Sequence, residues 1–403
     1  MTLADHDQVV VVGAGLAGWR LCEALRREGY AGVLTLVGEE RHPPYDRPPL
    51  SKQVMSTKWA AAATTLATPE RLAEAGVAAV LGARAIALEG TSVTLEDGRV
   101  VHGTHVVIAT GARARRPEFA AGDAVHTLRT RDDARSLVEA TAALSAGAPV
   151  VIIGGGFIGA EVATALRSRG LSPVVLEMAR RPLEGVLGPE VALWLGDLAA
   201  NAGVDLRTDQ RVTDVVAHAG GLRVTVADAA PIDAPVVVAA TGAAPNVEWL
   251  ADSGLTLDNG VVVDEDLMAA SYVAAIGDVA RFVLVSASGR EPVRVEHWQT
   301  ANDHATALAR HWTGAAPENE FVVPYFWSDQ YGKKIQLLGH PRADDEVVRV
   351  LAEEGRFTAL YHRDGVVTGV VTLSHPRSLM LSKVLLTSRT TLDEALARAP
   401  WAG

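Results

Sequence analysis

Two sets of three glycines share one spacing in this chain: Gly13, Gly15 and Gly18, and then Gly154, Gly156 and Gly159. Each set follows a β-branched run, residues 9–12 and residues 150–153, and leads into helix-forming residues. Such a pattern builds a pyrophosphate cradle. The first glycine makes a tight turn, the second lets backbone approach the phosphates, and the third lets helix and strand pack closely. The helix N-terminus then presents unclaimed N–H groups and a partial positive charge. A carboxylate about 20 residues further on, ending the next strand, accepts the ribose hydroxyls. Glu39 and Glu177 stand at those positions. Two such sites imply two dinucleotides, and a chain that holds two passes electrons between them.

The elements that must hold these cradles follow from the same pattern. Short valine and isoleucine runs bounded by glycine are what fully buried parallel strands require. Residues 106–108 close on Ala109-Thr110-Gly111, and residues 236–239 close on Ala240-Thr241-Gly242. Each reads as a buried strand ending in a small-residue turn where backbone can lie against a ligand. Residues 8–111 and 149–242 therefore read as a duplicated nucleotide-binding fold, not a solenoid.

Composition bounds the rest. A chain of 403 residues suits two or three domains. No apolar stretch reaches the roughly 18 residues that span a bilayer, and the polar start lacks a signal region. A formal charge of −11 argues against nucleic-acid binding. The 12 histidines are scattered without metal-ligand spacing. Cys22 is the single cysteine, so a disulfide framework is excluded and a reducing cytoplasm fits. The same count excludes a disulfide reductase, and residues 40–45 carry no redox thiol. Electrons must leave the site without a sulfur relay.

The segment Pro44-Tyr45-Asp46-Arg47-Pro48-Pro49-Leu50-Ser51-Lys52 resembles the signature of the FAD-dependent NADH:ferredoxin reductases with a glutathione-reductase-like fold. Putidaredoxin reductase and the reductases of biphenyl-type dioxygenases are members of that family. The resemblance continues through Ala275-Ile276-Gly277-Asp278-Val279-Ala280, Val295-Glu296-His297-Trp298-Gln299 and Phe326-Trp327-Ser328-Asp329-Gln330-Tyr331. It implies an α/β chain with two Rossmann-like domains and a C-terminal α+β domain. Residues 1–113 and 243–317 would form a discontinuous FAD domain, 114–242 the NADH domain and 318–403 the C-terminal domain.

The resemblance also assigns roles. Gly13, Gly15, Ala17, Gly18 and Glu39 would hold FAD, with Ala85, Ala109, Thr110 and Gly111. Arg47 and Lys52, in a loop stiffened by prolines, join that set with Arg129, Asp278 and Trp298. Lys52 would place a cation near flavin N5, favouring the electron-rich reduced ring. A helix expected over 298–312 would turn its N-terminus toward the flavin pyrimidine. Gly154, Gly156, Ile158, Gly159, Glu161, Glu177 and Gly242 would hold NADH. Glu161, on the first turn of its helix, would lie at the nicotinamide and pair with Lys52. A carboxylate at 177 welcomes a ribose 2′-hydroxyl and repels a 2′-phosphate, which favours NADH, although Arg180 and Arg181 pull the other way.

Beyond the linker 313–317, alternating patterns predict an antiparallel sheet closed by helices at about 377–386 and 392–399. There Trp327 would contact a small iron–sulfur ferredoxin, aided by a basic patch of Arg310, Lys333 and Lys334. The ferredoxin would serve an oxygenase, either a haem monooxygenase or a Rieske dioxygenase. Rubredoxin or quinone reduction, or an NADH-sensing role like that of apoptosis-inducing factors, are the rival readings. The expected state is a cytoplasmic monomer or weak dimer.

Overall fold

A computed structural model describes residues 2–120, 124–286, 289–316 and 323–401. The chain packs as two compact units, each discontinuous in sequence. One comprises Met1–Asp46, Thr65–Arg113 and Ala244–Phe326; the other comprises Arg47–Thr64, Ala114–Ala243 and Trp327–Gly403. The expected linker residue Pro317 and the start of the final domain lie outside the described residues.

The first unit is built on a six-stranded sheet in the order Met268–Ala270, Val273–Ala275, His105–Ile108, Gln8–Val12, Val33–Gly38, Val77–Leu81. All its pairings are parallel except that of Met268–Ala270. Val9 to Val12 are buried on both faces, as a central parallel strand requires. Helix Leu16–Arg27 follows the first strand and packs against helix Trp298–Thr313, burying Leu21, Leu25, Leu308 and Trp312 in one core. The second helix ends at Gly314, whose φ of 72° provides the left-handed cap. A small antiparallel sheet, Ala85–Glu89, Ser92–Leu95 and Val100–His102, is inserted before the strand His105–Ile108.

The second unit repeats the device. Its four parallel strands run in the order Asp205–Arg207, Ser172–Leu176, Pro149–Ile153, Val236–Ala239. Val150 to Ile153 are buried, and helix Phe157–Ser168 follows them. A three-stranded antiparallel sheet, Val212–His218, Gly221–Val226 and Ile232–Ala234, packs its apolar face onto that core.

From Trp327 onward the same unit contains the C-terminal sheet, in the order Tyr325–Gln330, Lys333–Gly339, Val366–Leu373, Arg356–Arg363, Glu346–Glu353. Helices Pro376–Thr387 and Leu392–Arg398 close it, the second with a capping box in which Thr391 accepts from the Glu394 N–H and Glu394 accepts from the Thr391 N–H. Tyr361 ties this sheet to the nucleotide-type fold by donating its hydroxyl to the Leu187 carbonyl at 2.7 Å. No helix among the described residues is long and apolar enough to cross a membrane.

Candidate functional site

The two glycine loops divide their labour in one way. Gly13 sits at φ 124° and donates its N–H to the Val37 carbonyl at 2.8 Å. A Cβ there would lie 2.1 Å from the Ala109 carbonyl oxygen, and one at Gly18 would lie 2.0 Å from the Gly13 oxygen. In the second loop a Cβ at Gly154 would stand 2.4 Å from the Ala240 oxygen, and one at Gly159 would stand 2.0 Å from the Gly154 oxygen. First and third glycines are therefore packing requirements.

The middle glycines are different. A Cβ at Gly15 or Gly156 would meet nothing within 4 Å. Each is the N-cap of its helix in extended backbone, without a side-chain cap and with no acidic residue in the first turn. The helices that begin at Arg131 and Leu392, by contrast, carry threonine capping boxes. Open space beside uncapped helix N–H groups is what a dinucleotide pyrophosphate fits.

The two carboxylates expected at the riboses sit at the ends of the expected strands. Glu39 is exposed and lies 3.7 Å from the Arg84 guanidinium. Glu177 is half-buried and holds its own loop: one oxygen accepts from the Gly155 N–H and the other from the Ala179 N–H, both at 2.7 Å. The two small-residue turns are also braced. Thr110 exchanges hydrogen bonds with Asn246, at 2.9 and 2.8 Å, and the Gly242 carbonyl accepts from Arg115 at 2.9 Å.

In the first unit Gly277 sits at φ 72°, and a Cβ there would come 2.9 Å from the Ala17 methyl, so Asp278 is held beside the first cradle. The Gly277 N–H donates to Nδ1 of His304 at 3.2 Å. His304 is buried, and desolvation pushes its pKa down to about 4, which keeps the ring neutral and Nδ1 available as an acceptor. Trp298 opens its helix and donates its indole N–H to Asp46 at 2.8 Å. The preceding His297 is the N-cap residue of that helix, in extended backbone. Arg113 pairs with Glu248 at 2.5 Å on the exposed surface.

The second unit assembles the densest chemistry. Arg47 donates to the Arg129 carbonyl at 2.7 Å, and the Arg129 N–H donates to Asp133 at 2.9 Å. Lys52 stands on a π-helical turn, Leu50–Val54, of the kind that recurs at functional sites. Its ammonium lies 2.8 Å from Oε2 of Glu161, and the Ser51 hydroxyl donates to the same oxygen at 2.5 Å. Ser328 donates to Oε1 at 2.5 Å, and Gln330 donates to Ser328 at 3.1 Å. Glu161 is 3 % exposed, and its carboxylate accepts from three buried or nearly buried donors. It lies in the second turn of its helix, not the first, because Gly156 is the cap and the third glycine is already helical.

Ser51, Ser328, Gln330 and His304 carry no role in the sequence reading. Ser51 adjoins Lys52, and Ser328 and Gln330 alternate along one strand face of a segment that already stood out. Those are the signals that pointed to them.

The expected docking residues are not of one kind. Trp327 is half-buried on strand Tyr325–Gln330, and Lys333 and Lys334 begin the next strand. Lys334 already faces Asp329 at 3.2 Å. Arg310 belongs to the other unit, donates to the Ala316 carbonyl at 2.7 Å and lies 4.0 Å from Glu28. Cys22 is fully buried, and desolvation pushes its thiol up to about 12, so it is no thiolate nucleophile.

The geometry agrees with comparisons to known proteins. Residues 7–305 match the pyridine nucleotide-disulphide oxidoreductase model, and residues 325–401 match a reductase C-terminal model. Rhodocoxin reductase of Rhodococcus erythropolis is 34 % identical over 391 residues, covering 95 % of this chain and 90 % of its own. Putidaredoxin reductase of Pseudomonas putida is 32 % identical over 403 residues, covering 97 % and 94 %. The reductase in the crystal structure of the covalent putidaredoxin reductase–putidaredoxin complex superposes with a TM-score of 0.92 at 30 % identity, covering 99 % of this chain and 100 % of that one. With one cradle in each unit and this extent of likeness, the chain belongs to the pyridine nucleotide-disulphide oxidoreductase family.

Proposed function

We propose that this chain is an FAD-dependent NADH:ferredoxin oxidoreductase serving a small iron–sulfur protein, and through it a haem monooxygenase or a Rieske dioxygenase. The observation that carries the reading is a pair of open, uncapped glycine cradles in a chain whose single cysteine is buried and protonated. The cradles ask for two dinucleotides, and the thiol leaves no route to a disulfide. Relatives named as ferredoxin reductases of oxygenase systems support the acceptor class.

Bound FAD would supply the chemistry that accepts a hydride from NADH and returns its electrons singly. The protein holds and orients. Residues 1–113 and 243–317 are assigned to FAD, with the Gly15 N–H cradle at its phosphates, Glu39 at its ribose, and Asp278 and Trp298 at the remainder. Residues 114–242 are assigned to NADH, with Gly156 at the phosphates and Glu177 at the adenosine ribose. Lys52 supplies a fixed positive charge, and Glu161 holds that charge in place. Residues 318–403 are assigned to the docking surface, with Trp327 as its aromatic contact. Because Lys334 and Arg310 already face acidic partners, Lys333 carries the larger share of any steering of an acidic ferredoxin. The site of action is taken to be the cytoplasm.

The test is stopped-flow reduction by NADH followed by mixing with a ferredoxin, a rubredoxin or a quinone. Rapid flavin bleaching by NADH, a poor response to NADPH, and fastest reoxidation by ferredoxin are expected. Reoxidation that is fastest with quinone, or slow reduction with NADH-dependent dimerisation, would overturn the assignment.

A further inference from the structure

We propose that Ser328 is a positioning residue for hydride transfer: it fixes the Glu161 carboxylate and, through it, the Lys52 ammonium. This inference rests on the reductase reading above.

The carboxylate is held from two sides. Oε2 accepts from Lys52 at 2.8 Å and from Ser51 at 2.5 Å. Ser328 is the donor to Oε1 among the described residues, at 2.5 Å. A glutamate side chain has three rotatable bonds, and a carboxylate bound on one oxygen alone still swings about that contact. Bonding both oxygens from opposite sides removes that freedom, and the ammonium inherits the fixed position. Ser328 is itself oriented. Gln330 donates to its oxygen at 3.1 Å, which turns the hydroxyl hydrogen toward Glu161. Ser328 and Gln330 are 0 % and 4 % exposed, so water does not compete. A second tie registers the strand on the helix: the Tyr331 N–H donates to Thr164, one turn along from Glu161, at 2.8 Å. Trp327 precedes Ser328 on this strand and points to its opposite face, so the strand that presents the proposed electron exit also anchors the carboxylate.

The experiment compares Ser328→Ala, Ser328→Thr, Gln330→Leu, Glu161→Gln and the double variant Ser328→Ala/Glu161→Gln with the parent holoenzyme. It measures single-turnover flavin reduction by NADH, the NADH dissociation constant from the same traces, and urea unfolding. A hydrogen bond to a charged group is worth enough that Ser328→Ala should slow reduction about tenfold or more, with the dissociation constant changed by less than about twofold. Ser328→Thr should restore most of the rate, and Gln330→Leu should fall between. The Ser328→Ala and Glu161→Gln effects should be non-additive in both rate and stability. Additive effects, or a Ser328→Ala rate equal to the parent's, would overturn the inference while NADH still reduces the parent. A parent that NADH does not reduce would instead overturn the reductase reading.

Discussion

The middle and last glycines of the second cradle make opposite predictions for one added methyl group. At Gly159 a Cβ would lie 2.0 Å from the Gly154 carbonyl oxygen. Real carbon–oxygen contacts of this kind need about 3.2 Å, so helix Phe157–Ser168 would have to retreat by roughly 1 Å from a close-packed strand. Forced overpacking of this size costs about 1–3 kcal/mol or more. Gly159→Ala should therefore lower the stability of the second unit by at least that much, whether or not nucleotide is present.

At Gly156 the new Cβ meets nothing within 4 Å, and φ is −68°, an ordinary value for an L-residue. The fold should tolerate it, because the conformational entropy lost from the unfolded chain offsets the weaker N-cap, leaving a net change within about 1 kcal/mol. The methyl group would nonetheless stand where phosphate oxygens must approach the uncapped N–H groups. Displacing one charge-assisted hydrogen bond costs about 1.5–3 kcal/mol, or roughly 10- to 150-fold in the dissociation constant for NADH or NAD⁺. Urea unfolding and isothermal titration calorimetry on both variants separate the two effects. If Gly156→Ala unfolds as easily as Gly159→Ala, or binds nucleotide as the parent does, the division of labour argued for the loop is wrong.

Other consequences are equally direct. Lys52 and Glu161 attract at 2.8 Å with a gross energy of about 6 kcal/mol at an effective dielectric constant near 20, most of it offset by desolvation. Lys52→Met and Glu161→Gln should each destabilise by about 2–3 kcal/mol, and the double variant by clearly less than their sum; strict additivity would remove the pair from the argument. His304 titrates at about 4 in the folded chain against an ordinary 6.5. Below pH 6.5 the unfolded chain takes up a proton that the folded chain refuses, so stability is constant above that pH and falls as pH drops toward 4. The loss should approach about 3 kcal/mol, and His304→Asn should flatten that part of the profile; an unchanged slope would show that the ring is not buried neutral. Cys22→Ala should leave NADH-to-ferredoxin turnover intact, and native protein should resist thiol reagents, whereas loss of turnover would restore a sulfur step. Glu177→Ser should shrink any preference for NADH over NADPH by about tenfold or more in kcat/KM, and no change would place the discrimination elsewhere.

The parts of this molecule that were legible in the sequence are those where local chemistry and tertiary need coincide. The valine runs at 9–12 and 150–153 are buried central strands because nothing but a parallel sheet covered on both faces suits such residues. The first and third glycines declared themselves through spacing, and the carbonyls at Ala109 and Ala240 that exclude a Cβ explain why no other residue serves. The helix expected over 392–399 starts at Leu392 in the fold, and the structure adds a capping box between Thr391 and Glu394. Where the sequence was mute, the partner lay far along the chain. Ser328 reaches Glu161 across 167 positions, and no periodicity or local propensity encodes a contact at that separation. The same holds for the packing of Arg47–Thr64 with the second unit, which sets the lysine of the proline-rich segment on the carboxylate of the second cradle.

Charge made the docking residues harder still. Arg310, Lys333 and Lys334 look alike on paper, yet Asp329 and Glu28 face two of them, and the first belongs to a different unit from the others. A net charge counts residues, whereas a partner responds to the charges left unneutralised and near one another. For this chain the chemistry-bearing motifs could be read as types and spacings. The groups that hold those motifs still, a serine, a glutamine and a buried neutral histidine, are defined only by where the fold brings their partners.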